Sequence, residues 1–426
     1  MLADPDCSAR FKAMMMISQA VRIQPGMRTR KLERALKKLV ARHDVLRLRF
    51  VETDGKLGAI FNPDDAIVLD LRDFGDVGED KMRQISADLL NETIPVDAPV
   101  LCAFHQLKFG GLGDVIVIRI SHMITDAFGT TVLVEDLIKL FLGLPITSSG
   151  YSHIDYLQDY EARLPEHKGA VKAYWDDLLS APPEASCVAD IDRSSECPAA
   201  PYQITNISEF STALDPDQVE VIEARAMDAG ATLFTTALSG LAEVQNDVFG
   251  TEDLIGKFIF SRNSGALANY AGWCLQFPFF RSKMEDADTF LERASTLRDQ
   301  MSESLQFPSI ALAAPVNEID EALIATRGSG AQVFGHLAAA DGRSRSSPFR
   351  ALFRSFGGQA IEIGPARIER LPVVRKPALA MKADIVMYVV PSDDNTRLVF
   401  SGDGDQISTT RLEDIGKRVV EKLCRI

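Results

Sequence analysis

Residues 114–129 read DVIVIRISHMITDAFG, and the rest of the chain is organised around them. The first seven, residues 114–120, form a short run rich in β-branched side chains, which predicts a largely buried strand. Residues 131–141 carry apolar side chains at helical spacing and stop before Gly143, which predicts a helix. His122 therefore lies on a strand-to-helix corner, and loops held between rigid elements are where proteins commonly place chemistry.

Length, charge and cysteine usage bound the class of protein. The 426 residues are too many for one ordinary core and suit two domains of roughly 200 residues each. The formal net charge is −14, so nucleic acid and anionic membranes are not expected as partners. The six cysteines are scattered without metal-ligand spacing, so we expect no metal site and a reduced, cytoplasmic chain. No apolar run approaches the roughly 20 residues of a membrane span, and we find no targeting segment.

Strand and helix patterns alternate on both sides of residues 181–205, a segment rich in Ala, Pro, Ser and Asp that predicts a linker. We therefore expect an α+β protein with an N-terminal domain over 1–180 and a C-terminal domain over 206–426. Further helices are predicted at 29–42, 79–90, 154–179, 216–229, 232–248, 287–304 and 408–423. Further strands are predicted at 12–23, 45–51, 100–107, 253–260, 351–355, 382–390 and 396–401. Two halves of similar character are what a pseudo-dimer would show.

The H-x-x-x-D spacing suits separate roles for the two side chains, with His122 as a general base and Asp126 as a residue that stabilises the loop. A neutral imidazole is the side chain best suited to take a proton from an amine or alcohol. A buried carboxylate needs a cation, and Arg47 on the predicted strand 45–51 is our candidate partner for Asp126. A histidine at a strand end is more often a packed residue than a catalyst, so spacing alone does not assign the role.

Four motifs, one of them in the opening stretch, carry a resemblance to a known family. Residues 42–50, RHDVLRLRF, are similar to an R-H-x-x-L-R-x-x-F motif, and 121–129 are similar to H-H-x-x-x-D-G. Residues 153–156, HIDY, match part of Y-x-D-Y, and 271–281 are similar to an I-G-x-F-V-N-T-x-x-x-R motif. Over nearly its whole length the chain resembles the condensation domains of nonribosomal peptide synthetases, members of the chloramphenicol-acetyltransferase-like superfamily.

The resemblance implies two acetyltransferase-like lobes forming a V-shaped pseudo-dimer, with the active site at their junction. It implies that His122 is the catalytic base, that Asp126 is structural and that Arg47 is its salt-bridge partner. The donor would be an acyl thioester on the phosphopantetheine of an acyl or peptidyl carrier protein, and the product an amide or ester formed in secondary metabolism. No bound cofactor is implied. Because no adenylation core or carrier attachment site is found, we expect a free-standing enzyme that uses a carrier in trans and a small-molecule amine or alcohol acceptor.

Four positions depart from the family pattern and indicate a divergent member. Ser121 replaces the first His of the motif, and His153 replaces the first Tyr of Y-x-D-Y. Ala127 replaces the Gly after the aspartate, which is expected to narrow the donor channel or alter the loop, with Gly129 restoring some backbone freedom. Gln276 stands where the family has Asn.

Other side chains are candidates for substrate and carrier contacts. Trp273 and Gln276 are candidates for lining a substrate channel, although a large aromatic in an apolar strand is more often core. A basic cluster in the second half is a candidate docking site for an acidic carrier, with a solvated face as the alternative. The cluster consists of Arg343, Arg345, Arg350 and Arg354.

Two alternative functions stay open. One is an acyl-CoA-dependent transferase of the same superfamily, because CoA and carrier-bound pantetheine present the same thiol arm. The other is a non-catalytic carrier-docking module, although such a module has no reason to keep His122, Asp126 and Arg47 together.

Overall fold

The chain forms two compact units in the computed structural model. The first unit comprises Met1–Asp159, Ser261–Cys274 and Ala339–Pro377, and the second comprises Tyr160–Phe260, Leu275–Ala338 and Ala378–Ile426. The structure describes residues 16–54, 56–95, 97–146, 151–180, 207–261, 265–306, 332–336, 360–371, 385–391, 395–404 and 407–425.

Helices and strands are mixed throughout, which confirms the predicted α+β class. The helices are α1 Thr29–Arg42, α2 Glu79–Leu90, α3 Ala127–Leu142, α4 His153–Leu178, α5 Pro216–Asp228, α6 Leu233–Phe249, α7 Phe290–Ser304 and α8 Thr409–Cys424. The strands are β1 Met16–Gln24, β2 Leu48–Thr53, β3 Lys56–Phe61, β4 Leu69–Asp73, β5 Cys102–Lys108, β6 Asp114–Ser121, β7 Ile207–Leu214, β8 Asp253–Ser261, β9 Leu275–Gln276, β10 Phe279–Lys283, β11 Gln332–His336, β12 Ala360–Ile363, β13 Ala366–Arg370, β14 Val386–Pro391 and β15 Thr396–Asp403. Among the described helices, none has the length and apolar character needed to cross a membrane.

The first unit is built on a sheet of order β12-β13-β1-β6-β5-β4. β6 lies inside it between β1 and β5, and all its residues are buried, as predicted. Ile116, Ile118 and Ile120 pack in the core that contains α1 and α3, whereas Val115 and Val117 pack in the core that contains α2. Helices therefore cover both faces of β6, which explains its continuous apolar sequence.

Helix α1 is fixed to α3 by a buried polar cluster as well as by apolar packing. The Nε2 of His43 lies 2.9 Å and the Nε of Arg42 lies 2.8 Å from the same carboxylate oxygen of Asp136 in α3. Burial by itself raises the pKa of Asp136, but the hydrogen bonds and charges of His43 and Arg42 outweigh it, so the pKa is lowered. This cluster holds the helix that begins at the His122 corner.

The second unit is built on a sheet of order β10-β8-β11-β14-β15-β7, with β9 paired to β8. Its core joins Leu238 and Leu241 of α6 to Phe400 of β15 and Ile415 of α8. β11 runs parallel to both β8 and β14, whereas the remaining pairs in this sheet order are antiparallel.

The predicted boundaries 1–180, 181–205 and 206–426 differ from these units. The β12–β13 hairpin belongs to the first unit because β13 pairs with β1, with Ile368 opposite Ile23. Backbone pairing between distant segments leaves no linker-like signature in sequence. The predicted linker and the predicted strand at 351–355 lie outside the described residues.

The predicted strand at 45–51 is partly wrong. Asp44–Arg47 form a 3₁₀ turn, and the strand begins only at Leu48. Val45 and Leu46 are both buried, so this turn has a hydrophobic run that resembles a strand in sequence.

Candidate active site

Ser121 ends β6 and shapes the turn that carries His122. Its N–H donates to the carbonyl of Leu101 at 2.8 Å, and its carbonyl accepts from the N–H of Ile124 at 3.1 Å. Its Oγ accepts from the N–H of Met123 at 3.3 Å. The serine that stands in place of the first motif histidine is thus a turn-forming residue, a role that a short hydroxyl side chain suits.

His122 is half-buried, and its ring is held from two sides. Nδ1 lies 2.9 Å from the carbonyl oxygen of Thr125. A carbonyl only accepts, so Nδ1 carries the hydrogen and the lone pair of the neutral ring is on Nε2. The ring of Trp273 lies 5.0 Å away, centroid to centroid, and is tilted by 42°. The structure therefore brings the predicted channel residue Trp273 to His122.

Asp126 is fully buried and caps the N-terminus of α3. One of its carboxylate oxygens accepts from the N–H of Gly129 at 2.8 Å, and the other accepts from the N–H of Cys274 at 2.8 Å. Beside it, the Oγ1 of Thr125 donates to the carbonyl of Ala271 at 2.7 Å. These hydrogen bonds fasten residues 271–274 to the His122 corner, within the first unit.

Burial raises the pKa of Asp126, because its charged form is disfavoured away from water. The N–H groups of Gly129 and Cys274 and the charge of His122 offset part of that rise. The carboxylate is thus stabilised mainly by backbone dipoles at a helix N-terminus, which is a favourable place for negative charge.

The predicted salt bridge between Arg47 and Asp126 is wrong. Arg47 pairs instead with Asp64, with 3.2 Å between Nη1 and Oδ1, and also donates to the carbonyl of Asn62 at 3.3 Å. Leu46 and Leu48 on either side of Arg47 pack in the core, whereas the Asp64 side chain is 60% exposed. Arg47 therefore pairs with an exposed carboxylate, and Asp126 is served by backbone N–H groups.

The two motif positions after Asp126 have different roles. Ala127 is the first residue of α3 and is exposed, and the turn closes around the Asp126 cap without a glycine there. A Cβ on Gly129 would lie 2.4 Å from the carbonyl oxygen of Ala271 and 2.5 Å from the Oγ1 of Thr125. Gly129 is required for space rather than for backbone freedom. The effect of Ala127 on a donor channel stays a prediction.

Tyr270 anchors the start of the 271–274 segment, and the sequence reasoning missed it. It is buried, its ring stacks on Tyr156 at 4.8 Å, and its hydroxyl is hydrogen-bonded to the Nδ1 of His153. The N–H of His153 donates to the carboxylate of Asp44 at 2.9 and 3.0 Å. Burial raises the pKa of Tyr270 and lowers that of His153, so the neutral tyrosine donates to a neutral imidazole. The replacement of the first Tyr of the Y-x-D-Y motif by His153 was the one sequence feature that could have indicated this contact with Tyr270.

Gln276 as a channel residue and the four arginines as a docking site stay predictions. Gln276 lies on β9 in the second unit, buried, and its Oε1 has no hydrogen-bond partner among the described residues. The four candidate docking arginines from Arg343 to Arg354 lie outside the described residues. In the described ranges, no three His, Cys, Asp or Glu side chains are grouped so as to hold a metal ion.

Comparison with known proteins agrees with the motif resemblance. The family model of the condensation domain matches residues 9–337, so the chain belongs to the condensation-domain family. It is 23% identical over 328 residues to a linear gramicidin synthase of Brevibacillus parabrevis, covering 72% of this chain and 4% of that protein. The chain thus spans only a small part of that relative's length.

Two solved structures share the fold. SgcC5 of Streptomyces globisporus matches with a TM-score of 0.72 and 18% identity, covering 100% of this chain and 96% of that one. The X-domain from teicoplanin biosynthesis matches with a TM-score of 0.74 and 17% identity, covering 100% and 92%. At these identities the likeness concerns the fold, which is that of condensation-type domains.

Proposed function

We propose that the chain is a condensation-type acyltransferase that joins a thioester-activated acyl group to an amine or hydroxyl in secondary metabolism. The observation that carries this proposal is the hydrogen bond from the Nδ1 of His122 to the carbonyl of Thr125, because it makes Nε2 the basic atom. Membership of the condensation-domain family supports the reaction class.

In the proposed reaction, the acceptor N–H or O–H gives its proton to the Nε2 of His122 as the nucleophile attacks the thioester carbonyl. A C–N or C–O bond forms, the C–S bond breaks, and the proton passes from His122 to the departing thiolate. The carbonyl of Thr125 stabilises the imidazolium through Nδ1–H, and the ring of Trp273 restrains its orientation. Asp126 and Gly129 are positioning residues, because they hold the segment that carries Trp273.

The proposed donor is an acyl chain on the phosphopantetheine of a carrier protein acting in trans, and the proposed acceptor is a small amine or alcohol. Membership of the condensation-domain family favours a carrier over free CoA. We expect the reaction to occur in the cytoplasm, since the described cysteines Cys102, Cys274 and Cys424 are free thiols.

The test compares acyl transfer from a loaded carrier and from acyl-CoA by wild type, His122→Ala and Met123→Ala. Met123 is the matched control, because it lies on the same turn and its described contact with Ser121 is made by the backbone. We expect His122→Ala to lose about 10²-fold or more in rate while Met123→Ala keeps most of its activity. Equal rates for wild type and His122→Ala would remove the general base. A folded wild type that transfers from neither donor would instead favour a docking module.

A further inference from the structure

Helix α1 presents a row of positive charges on a chain that is acidic overall. Residues 28–42 contain seven basic residues and one acidic residue, a formal charge of +6, whereas the whole chain carries −14. Arg30, Arg34, Lys37 and Lys38 are all exposed. Their helical spacing puts them on one side of α1 over about 12 Å. We call these four residues the basic face.

The basic face is not neutralised by ion pairs within the described part of the chain. In the ranges that the structure describes, none of its four residues forms an ion pair, and Arg34 donates only to the carbonyl of Arg30 at 3.2 Å. Other helices place a carboxylate one turn away from exposed cations, as in Lys172–Asp176 of α4 and Lys417–Glu413 and Arg418–Asp414 of α8. On α1 itself Glu33 lies four residues before Lys37, but no ion pair joins these two described side chains, so the basic face together with Glu33 keeps a formal charge of +3.

Keeping these charges opposes the stability of α1. Arg30 and Arg34, and Arg34 and Lys38, are like charges four residues apart, which destabilises a helix. The first turn contains no acidic residue, and Arg28 at the N-cap makes no side-chain capping hydrogen bond. Cations at this end also oppose the helix dipole. A group of unpaired positive charges on an exposed helix surface is a candidate for binding a partner of opposite charge.

We infer that the basic face is the docking surface for the acidic carrier protein that delivers the acyl group, an inference that rests on the proposed function. An acidic partner is attracted to the basic face even though the chain as a whole is negatively charged. An anionic membrane fits less well, because the apolar side of α1, including Leu32, Leu36 and Leu39, is buried in the core and leaves nothing to insert.

The position of α1 also suits delivery to the proposed site. Arg42 and His43 at its C-terminal end hold Asp136 of α3. α3 begins at the Asp126 cap beside His122. A carrier bound to the basic face therefore docks on the unit that holds the His122 corner.

Three variants of the full chain test the inference. The first reverses the basic face with Arg30→Glu, Arg34→Glu, Lys37→Glu and Lys38→Glu, and the second neutralises the same positions with Gln. The matched control makes the same change in net charge on exposed residues of the second unit: Lys172→Glu, Lys417→Glu, Arg418→Glu and Arg425→Glu. Circular dichroism melting shows that each variant is folded before binding is measured.

Binding is measured by calorimetric titration with a holo acyl carrier protein of bacterial fatty acid synthesis. We expect the reversed variant to bind at least tenfold more weakly, the Gln variant to be intermediate and the control to match wild type. Wild-type affinity should fall as salt is raised. Transfer from octanoyl-pantetheine, which needs no docking, should be unchanged in all three variants.

Equal weakening in the reversed and control variants would overturn the inference, as would the lack of saturable carrier binding by wild type. Binding of wild type to phosphatidylglycerol vesicles in place of the carrier would overturn it in favour of a membrane. If wild type binds the carrier through the basic face but transfers no acyl group from octanoyl-pantetheine or from a loaded carrier, the proposed function fails while the docking surface stands.

Discussion

Replacing Gly129 by alanine tests whether residues 271–274 are fastened to the His122 corner as described. The added Cβ would lie 2.4 Å from the carbonyl oxygen of Ala271. Non-bonded carbon contacts are most favourable near about 3.5 Å or more, so this backbone would retreat by roughly 1 Å. We expect an overpacking cost of about 1–3 kcal/mol and the loss of the Thr125 hydrogen bond, about 1 kcal/mol. The greater helix propensity of alanine offsets about 1 kcal/mol of this, so the free energy of unfolding should fall by about 2 kcal/mol in total.

Gly169→Ala is the matched control, because Gly169 is an exposed residue of helix α4 and a Cβ there meets nothing within 4 Å. It should gain up to about 1 kcal/mol. Denaturant unfolding followed by circular dichroism measures both variants. The chain has two tryptophans, so a Trp175→Phe background leaves Trp273 fluorescence as a local probe beside His122. Equal stability of the two variants, with unchanged Trp273 emission, would refute the close contact at Gly129.

Three further changes have defined outcomes. Asp126→Asn places an amide N–H₂ against one of two backbone N–H groups, so urea unfolding should show a loss of about 1–3 kcal/mol. Because burial raises the Asp126 pKa, the excess in free energy of unfolding of wild type over Asp126→Asn should shrink as pH rises from about 4. An excess that grew with pH would contradict this. Arg47→Ala and Asp64→Ala should each lower the free energy of unfolding by about 1 kcal/mol or less. A large loss in Arg47→Ala alone would instead support a salt bridge between Arg47 and Asp126. Burial lowers the His153 pKa, so wild type should lose melting temperature as pH falls below about 6.5, whereas His153→Phe should lack that part of the loss.

Local pattern predicted the elements better than it predicted the contacts between them. The helices at 29–42 and 79–90 have the predicted bounds, because their apolar periodicity and flanking residues are local signals. Helix α3 begins four residues before the predicted 131–141 span because the Asp126 side chain caps it. That extension depends on a hydrogen bond to Gly129 rather than on hydrophobic periodicity.

The sequence indicated which residues to examine at the site but not which groups they bond to. His122 and Asp126 lie on the predicted strand-to-helix corner, and Trp273, which was predicted only as a channel candidate, lies against His122. The error concerned the partner of Asp126, because a buried carboxylate was assumed to need a cation. Two backbone N–H groups serve it instead, and main-chain donors such as that of Cys274 have no signature in the amino-acid sequence.

The attachment of residues 271–274 to the corner has a consequence for synthesis of the chain on the ribosome. A nascent chain that ends at residue 205 already contains His122, Thr125 and Asp126, yet it lacks the Ala271 carbonyl and the Cys274 N–H that complete their hydrogen bonds. β1 likewise lacks its neighbour β13 until residue 370 has been made. The hydrogen bonds of the corner are therefore completed late in translation, long after its motif residues His122 and Asp126 have been synthesised.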